Sequence, residues 1–456
     1  MSHEQASIAR RVTRHLGAFT RWRLRRRGYR ESKATDRWSA AELRAYHDRR
    51  LVELVRFAAA RIPFYRDLYA RAGVDVTRFG GAADLRGLPT IAKADLLEHG
   101  ARMIRPGVRE LWIVRHTTGG STGTIATLVG PRGIAGREQG CIDALWERVG
   151  VRRGERIVTL RGALLQEGRA LSHYDRAERR LTISTYHLND ENVPEIVSLI
   201  DDFRPAWLHV YPSAATLLAN ILRRTGRRLS GPLRGVLCGS EAVYPWQVEL
   251  FAEVYGGRTY AHYGHGELAL LGGWCENAQT CHFLPNHGYV ELLDDQQQPI
   301  VAPDVSGEIT GTGYLNRVMP LIRYRTADFG AWDQPGPCAA CGRNHQRLAR
   351  IDGRIQEYLT LADGTRFPAT NINALHGMFF SLIYRFQFVQ QKPGRAVLRF
   401  VPAVDLTPER LAEIRAAFAY LPALGLELEF QAVPEIPLTT GGKQRIVVTS
   451  EDLARV

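Results

Sequence analysis

The sequence predicts an α/β protein with a large N-terminal domain of helix-covered sheets and a small α+β C-terminal domain. Short β-branched or apolar runs alternate with helical stretches from Leu111 onward, as in a sheet covered by helices. Near Arg350 the pattern changes to strand-like runs with one clear helix. The chain has 456 residues, which exceeds the size at which one hydrophobic core keeps growing, so a large domain plus a smaller one is expected.

Helices are predicted from Ala40 to Leu97, where WSAAELRAYHDRRLVELVRFAAARIPFYRDLYARAG has apolar residues at helical spacing and stops at Gly73. The predicted strands of the large domain are LWIVRHTT, RIVTLRG, AWLHVYP, LRGVLCG and GYVELL, and the helices include VPEIVSLIDDF and AATLLANILRR. The C-terminal strands are YRFQFVQ, AVLRFVP and LELEFQAV, with the helix TPERLAEIRAAFAYL. These runs predict domains at 40–354 and 355–456.

Residues 1–39 are predicted to form a basic N-terminal arm. Nine arginines lie between Arg10 and Arg30, and they supply much of the formal net charge of +13. A solvated arm is expected, and the alternative is an amphipathic helix that touches acidic lipid or a partner protein. The arm has no interleaved aromatic platforms and no recognised module, so no specific nucleic acid partner is expected.

The composition is that of a globular protein, with 45% hydrophobic and 23% charged residues. No apolar run approaches the roughly 20 residues that span a bilayer, and the start of the sequence lacks the apolar core of a secretory signal. We therefore expect a soluble protein in the cytoplasm. Six cysteines are too sparse for a disulfide scaffold in a long intracellular chain.

The most informative stretch follows the apolar run LWIVRH, and it consists of Thr117, Thr118, Gly119, Gly120, Ser121, Thr122 and Gly123. Three glycines let the backbone approach a polyphosphate closely, while four hydroxyls and successive N–H groups donate to its oxygens. A plain exposed turn uses the same residue types, so this loop alone leaves both interpretations open. It is not a Walker loop, because no Gly-Lys-Ser/Thr follows.

Four further motifs follow this loop in order: Tyr263-Gly-His-Gly-Glu267, Tyr324-Arg-Thr-Ala-Asp328, Arg350-Ile-Asp-Gly-Arg354 and PLTTGGKQR at 437–445. Together the five motifs resemble the core signatures of the acyl-CoA synthetase, NRPS adenylation domain and luciferase superfamily. IPFYRDLY, LPTIAKADL and GVLCGSEAVYP are similar to its phenylacetate-CoA ligase branch, which includes the capsule-locus, CapK-like proteins. The resemblance covers nearly the whole chain from about Ala40.

The resemblance implies an adenylate-forming ligase, in which the 40–354 domain binds ATP and the acid, and the 355–456 domain is mobile. A carboxylic acid is activated with ATP as an acyl-AMP, then transferred to CoA or another thiol. Glu267 is implied to hold Mg²⁺ bound to ATP phosphates, and Asp328 to bind the ribose hydroxyls. Lys443 is implied to bridge the acyl carboxylate and the α-phosphate, and Arg354 to belong to the domain hinge.

Further site residues are implied for the nucleotide and the acid. Gly239, Ser240, Glu241, Tyr263 and Gly264 line the nucleotide site, with the Tyr263 ring stacked on adenine. Tyr211, His262, Tyr263 and Gly264 line the acid pocket, and the two tyrosines favour an aryl acid. CoA is the commonest acceptor in the branch. A carrier-protein phosphopantetheine, an amine and a hydroxyl remain open alternatives, as does a homodimer.

Some positions depart from the family pattern. Thr124 replaces the usual lysine at the end of the phosphate loop, and Gly266 replaces the usual hydroxyl residue before Glu267. Gln356, beside Glu357, stands at the acidic hinge position, and Ala327 stands where the ribose motif normally has glycine. These departures leave a degenerate nucleotide-binding scaffold as an alternative to an active enzyme.

Two clusters of cysteine and histidine predict a structural zinc site. Cys275 and His282 lie in CENAQTCH, and Cys338 and Cys341 form a Cys-x-x-Cys knuckle whose thiolates reach one tetrahedral ion. Cys281 is the reserve ligand. Four protein ligands leave no position for water, so the ion would be structural. The alternative is a set of unligated buried cysteines.

Overall fold

The computed structural model describes residues 20–117, 126–162, 165, 170–354, 358–369, 372, 382–438 and 444–450. The chain divides into two compact units, one made of Met1–Val151 with His262–Ile351 and the other of Arg152–Ala261 with Asp352–Val456. Helices alternate with strands as expected, so the predicted α/β class is confirmed. The chain enters the second unit at Asp352, close to the boundary predicted after Arg354. The domain limits 40–354 and 355–456 stay a prediction.

The helices are α1 (residues 20–35), α2 (Ala40–Arg61), α3 (Pro63–Arg71), α4 (Lys93–His99), α5 (Ile134–Arg148), α6 (Val193–Phe203), α7 (Pro212–Thr225), α8 (Pro245–Tyr255) and α9 (Pro408–Ala417). The first ten strands are β1 (Ile113–Thr117), β2 (Thr127–Pro131), β3 (Ile157–Leu160), β4 (Ser172–Asp175), β5 (Arg180–Ile183), β6 (Trp207–Val210), β7 (Gly235–Gly239), β8 (Arg258–Gly264), β9 (Leu271–Trp274) and β10 (Cys281–Phe283).

The remaining strands are β11 (Gly288–Leu293), β12 (Ser306–Gly313), β13 (Tyr324–Trp332), β14 (Arg347–Arg354), β15 (Tyr358–Thr360), β16 (Arg366–Pro368), β17 (Ile383–Lys392), β18 (Arg395–Pro402), β19 (Glu427–Ala432) and β20 (Val447–Thr449). Among the described helices, none combines the length and apolar character needed to cross a membrane.

The first unit is built on helices α2 and α3 and on antiparallel strands. Ser39 and Glu42 form a reciprocal capping box at the start of α2, and Pro63 opens α3 at a position where no N–H bond is lost. Strands β11, β12, β13, β14, β10 and β9 are neighbours in that order, and β9 pairs with the end of β8. Buried apolar side chains of the helices and strands form one hydrophobic core.

The second unit contains a parallel sheet. Strand β3 lies between β5 and β6, β6 lies beside β7, and all three pairs are parallel, while β4 pairs antiparallel at the edge. A second sheet has the strand order β19, β18, β17, β20. Buried residues of this sheet and of α9 belong to the same hydrophobic cluster as those of the parallel sheet. Because the parallel strands share a direction, the residues that follow them meet at one edge of the sheet.

Helix α1 packs against α5, which differs from the solvated arm expected from the sequence. Arg25 Nε donates to Asp143 Oδ2 at 2.5 Å and Arg137 Nη2 donates to Glu31 Oε2 at 2.7 Å. The backbones approach so closely that a Cβ on Gly140 would stand 1.9 Å from the carbonyl oxygen of Arg25. Arginines in 20–35 are therefore partly used in tertiary packing, which composition alone does not reveal.

We expect Gly140→Ala to destabilise the protein by about 1–3 kcal/mol, because the added methyl group overpacks the contact between α1 and α5. The matched control is Gly87→Ala, since a Cβ at Gly87 meets no heavy atom within 4 Å. Chemical denaturation of both variants measures the difference. Equal stability of the two variants would show that α1 does not pack on α5 in solution.

Candidate active site and cysteine-histidine cluster

The predicted phosphate loop joins two paired strands. Thr117 ends β1 and pairs with Thr127, which begins β2, so the intervening residues connect adjacent strand ends. Thr118, Gly119, Gly120, Ser121, Thr122, Gly123 and Thr124 lie outside the described residues. His116 Nε2 lies 2.9 Å from the carbonyl oxygen of Gly266. Since a carbonyl only accepts, Nε2 carries the proton, and this bond holds the end of β1 against the turn that carries Glu267.

Two predicted carboxylates are each bonded to a tyrosine. The Tyr263 hydroxyl donates to Asp328 Oδ2 at 2.7 Å, and the Tyr324 hydroxyl donates to Glu267 Oε1 at 3.1 Å. His265 Nδ1 lies 3.0 Å from Glu267 Oε2, and the His265 ring is stacked near Tyr324. The fold thus brings together the motifs at 263–267 and 324–328, although these motifs are far apart in the chain.

A β-bulge positions Asp328. Across the pairing of β12 with β13, the single residue Ile309 stands opposite Thr326, Ala327 and Asp328. Ala327 has a φ of 61°, and its N–H donates to Glu308 Oε1 at 3.0 Å. The extra residues bend the strand and direct Asp328 towards Tyr263, which is a common use of a bulge beside a functional site. The left-handed backbone also explains why glycine suits this position.

Glu267 is largely, but not fully, shielded from solvent. Its side chain is 12% exposed and that of His265 is 3% exposed. His265 donates through Nδ1, and its buried Nε2 has no hydrogen-bond partner among the described residues. Neither His265 nor Tyr324 was singled out from the sequence as a site residue, although each lies in a motif. His265 directly follows β8 and Tyr324 begins β13, and this location at strand ends was the available signal.

The other site residues predicted for nucleotide and acid lie in both units. His262 and Gly264 are on β8 in the first unit, where the His262 ring lies 6.3 Å from that of Trp146. In the second unit, Gly239 ends β7 and Ser240 has a φ of 69°. Glu241 accepts from the backbone N–H and the hydroxyl of Ser213, both at 2.9 Å, so it caps α7, whose N-cap residue is Tyr211.

Two of the site residues predicted in the C-terminal part have no described side chain. Lys443 lies outside the described residues. Arg354 is the last residue of β14, and its side chain also lies outside the described part of the chain. Their roles as the adenylating lysine and the hinge arginine stay predictions.

Cys275, His282, Cys338 and Cys341 form one cluster in the first unit. Their ligand atoms all lie within 4.8 Å of one another, and Cys341 Sγ is 3.8 Å from His282 Nε2. Cys275 follows β9, His282 lies on β10, and Cys338 and Cys341 lie in a turn before β14. Tetrahedral thiolates on one zinc ion would be about 3.8 Å apart, so the spacing fits. Cys281 is buried in the apolar core and is not part of the cluster.

Two of the four side chains, His282 and Cys338, have pKa values shifted towards the form that binds a metal, whereas burial and the neighbouring Cys341 thiol raise the pKa of Cys275 to about 12. Burial and the nearby Arg148 guanidinium lower the pKa of His282 to about 4, so its imidazole is neutral near pH 7. Burial acts to raise the pKa of Cys338, but the N–H groups of Ala340 and Cys341 outweigh it, and the pKa is lowered. A neutral imidazole and an accessible thiolate are what a metal site requires.

Known proteins resemble this chain in sequence and in structure. No family model matches it. The phenylacetate-coenzyme A ligase of Thermus thermophilus is 28% identical over 370 residues, which cover 77% of this chain and 79% of that protein. The enzyme of the same name from Escherichia coli is 26% identical over 347 residues, with coverage of 73% and 75%. The crystal structure of 2-hydroxyisobutyryl-CoA ligase in the postadenylation state, in complex with R3-HIB-AMP, superposes with a TM-score of 0.73 at 20% identity, over 92% of both chains.

Proposed function

We propose that this homologue of the phenylacetate-coenzyme A ligases is an ATP-dependent ligase, which converts a carboxylic acid to an acyl-AMP and transfers the acyl group to the thiol of coenzyme A. The relatives confirm the resemblance stated from the motifs, and the structural likeness confirms the fold. The observation that carries the proposal is the pair of carboxylates Glu267 and Asp328. Each belongs to one of the family-like motifs, and each accepts a hydrogen bond from a tyrosine hydroxyl.

Each carboxylate has a defined task in this reaction. Asp328 accepts from Tyr263 on Oδ2, and a carboxylate has further lone pairs for the ribose hydroxyls of ATP. Glu267 offers hard oxygen atoms on a side chain that is 12% exposed, which fits Mg²⁺ bound to the ATP phosphates. The bonds from Tyr324 and His265 hold this carboxylate in one orientation, so little reorganisation is needed when the nucleotide binds.

The remaining roles belong to the loop, the acid pocket and the C-terminal part. The loop from Thr117 to Gly123 would donate to the ATP phosphates from its hydroxyls and N–H groups. Lys443 would neutralise charge as the acid attacks the α-phosphate, and Arg354 would lie at the hinge of the moving domain. An aryl acid and a cytoplasmic location also remain part of this proposal.

We expect Lys443→Ala to leave ATP binding nearly intact and to slow adenylation on the order of 10²–10³-fold, because its charge acts in the transition state. Asp328→Ala should mainly weaken nucleotide binding, since ribose contacts persist in ground and transition states. Acid-dependent ATP–pyrophosphate exchange over a panel of aryl and aliphatic acids measures the first step. Lys392→Ala is the control, because Lys392 is an exposed lysine of the same unit.

The second half-reaction separates these roles further. With preformed acyl-AMP and CoA, Lys443→Ala should form thioester at close to the parental rate, because the lysine acts only in adenylation. Adenylation at the parental rate would contradict the role of Lys443. Nucleotide binding without exchange for any acid would instead favour the degenerate scaffold, and exchange without thioester would favour a carrier protein, an amine or a hydroxyl as the acceptor.

We also propose that Cys275, His282, Cys338 and Cys341 hold one structural zinc ion. Three thiolates, a neutral imidazole and a zinc dication sum to a single negative charge. Arg148, Arg343 and Arg347 lie close enough to His282 to affect its pKa, so their charges would offset that of the cluster. A closed set of four ligands ties β9 and β10 to the turn before β14.

Protein purified without chelator should contain about one zinc ion per chain, measured by elemental analysis. Cys338→Ser should remove most of the metal and lower the melting temperature, because the thiolate ligand is lost. Cys281→Ser is the matched control and should keep its zinc, since Cys281 is buried in the core outside the cluster. A metal content well below one ion per chain in the parent protein would rule out this stoichiometry.

The N-terminal surface supports peripheral contact with anionic membranes. Trp22 is 40% exposed with the Arg26 guanidinium 4.8 Å from its ring, and Leu111 and Trp112 are 62% and 61% exposed. Arg132 bonds to the carbonyl oxygens of Leu111 and Trp112, and its neighbour Gly133 contacts Leu24 of α1, so the two apolar positions share one surface. Exposed indoles among arginines suit the interface of an acidic bilayer.

The protein should co-sediment with vesicles that contain phosphatidylglycerol, and less with vesicles of phosphatidylcholine alone, because the surface is basic. Replacing Trp22 or Trp112 by Ser should lower the affinity for these vesicles roughly tenfold. This factor assumes that each indole buries about 60 Å² of apolar surface in the membrane. Tyr174→Ser, which removes an exposed aromatic residue of the other unit, should have no effect. Equal binding to both vesicle types, or to neither, would contradict this proposal.

A further inference from the structure

Polar side chains collect at the carboxyl edge of the parallel sheet in the second unit. Arg161 follows β3, Ser184 follows β5, Tyr211 follows β6 and Ser240 follows β7. Ligands of parallel sheets bind outside the carboxyl ends of the strands, so this edge is the expected place for a substrate group. Only Tyr211 and Ser240 were predicted as site residues from the sequence.

Arg161 is the centre of this cluster. Its Nη1 donates to His209 Nε2 at 3.0 Å and its Nη2 donates to the Ser240 hydroxyl, while the guanidinium carbon lies 4.9 Å from the centre of the Tyr211 ring. A guanidinium has no acceptor, so His209 Nε2 accepts and the imidazole is neutral. None of these three partners supplies a negative charge, and among the described residues no carboxylate pairs with Arg161.

Buried hydroxyls on β3 and just after its neighbour β5 have no hydrogen-bond partner among the described residues. Thr159 is 7% exposed, Ser184 is 0% exposed and Thr185 is 2% exposed, and none of their hydroxyls has a hydrogen-bond partner among the described residues. Thr159 is paired in register with His209 and precedes Arg161 by two positions, so strand alternation places all three side chains on one face. Buried polar groups are normally satisfied, which indicates that a polar ligand completes this site.

We infer that Arg161, with His209, Tyr211, Ser240 and Thr159, forms a subsite for the second carboxylate of a dicarboxylic acid substrate. This inference rests on the proposed ligase function and narrows its substrate class. The planar guanidinium, supported by the Tyr211 ring, presents donors in the geometry of a carboxylate. The unpartnered Thr159 hydroxyl, on the same face as Arg161, adds a neutral donor to the same group.

A phosphate group has similar oxyanion chemistry, but the neighbouring residues favour a carboxylate. The N-terminus of α7 would be the usual phosphate-binding element here. Its Ser213 N–H and hydroxyl are instead occupied by Glu241, which is adjacent to Ser240. The negative charge of Glu241 repels a phosphate dianion more strongly than a carboxylate monoanion. We therefore assign the subsite to the acid substrate and treat phosphate as an outcome of the test.

The test compares matched acids in equilibrium binding to the full-length protein, with a non-hydrolysable ATP analogue present. The pairs are 4-carboxyphenylacetate with 4-methylphenylacetate, and adipate with hexanoate. For at least one pair, the parent protein should bind the diacid roughly 10- to 100-fold more tightly, as expected for hydrogen bonds to a charged group. Arg161→Gln should abolish this preference and leave the affinity for the monoacid unchanged.

Further variants separate a lost subsite from a damaged fold. Arg161→Lys keeps the charge without the planar geometry and should retain part of the preference, and Thr159→Val should reduce it modestly. Arg228→Gln, an exposed arginine of the same unit, should change nothing. The inference is overturned if the parent protein has no diacid preference, or if Arg161→Gln lowers the affinity for both acids of a pair equally. It is also overturned if, with inorganic phosphate measured in the same way, Arg161→Gln lowers the affinity for phosphate alone.

ATP–pyrophosphate exchange with the same pairs separates this inference from the proposed function. Exchange with the monoacids but without a diacid preference in binding overturns the subsite and leaves the ligase function in place. A diacid preference that depends on Arg161, without exchange for any acid, supports the subsite and contradicts the ligase function.

Discussion

A buried ion pair fixes the strand on which the carboxylate site of the first unit depends. Arg323 donates from Nε and Nη2 to both oxygens of Glu291 at 3.1 and 3.0 Å, and its third nitrogen reaches the carbonyl oxygen of Leu88. Both side chains are more than nine-tenths buried. Burial raises the pKa of Glu291, and Arg323 opposes that shift. Removing one partner of such a pair typically costs about 3–5 kcal/mol, because the other charge remains buried.

The ion pair between Arg323 and Glu291 positions two parts of the chain: the start of β13 and the segment around Ile91. Tyr324, which orients Glu267, directly follows Arg323, and the bulge that carries Asp328 begins two residues later. Ile91 bonds to the carbonyl oxygen of Arg323 at 3.1 Å and to the N–H of Arg325 at 2.8 Å. The segment LPTIAKADL, which resembles the phenylacetate-CoA ligase branch, therefore also has a structural role, since Ile91 holds the start of β13.

Motifs and periodicity were sufficient to predict much of the fold, but only part of the site. The helical spacing after Ser39 and the strands RIVTLRG and AWLHVYP correspond to α2, β3 and β6. These are local patterns, which sequence reasoning resolves well.

The grouping of His282 with Cys338 and Cys341 was also predictable, because ligand chemistry restricts the choice of residues. The bulge at Ala327 and the packing of α1 on α5 were not predictable, because they depend on partners distant in sequence. Arg161 was missed for the same reason, since its role appears only once β6 and β7 supply His209 and Ser240.

The departures from the family pattern bear on whether the site is active or degenerate. Ala327 occupies a left-handed backbone that glycine adopts without strain, and an alanine there costs on the order of 1–2 kcal/mol. Such strain persists only where the surrounding structure imposes it, and such positions cluster at functional sites. Here Glu308 binds the Ala327 N–H, and Thr326 binds the carbonyl oxygen of Ile309, so the bulge is maintained with the less suitable residue. Asp328 consequently still meets Tyr263 at 2.7 Å. Gly266 lacks the side-chain hydroxyl that the family usually has before the glutamate. The hydrogen bond from His116 Nε2 to the Gly266 carbonyl oxygen holds the turn before Glu267 in place. At both positions hydrogen bonds hold the backbone next to a site carboxylate, and these contacts favour an enzyme over an inert scaffold.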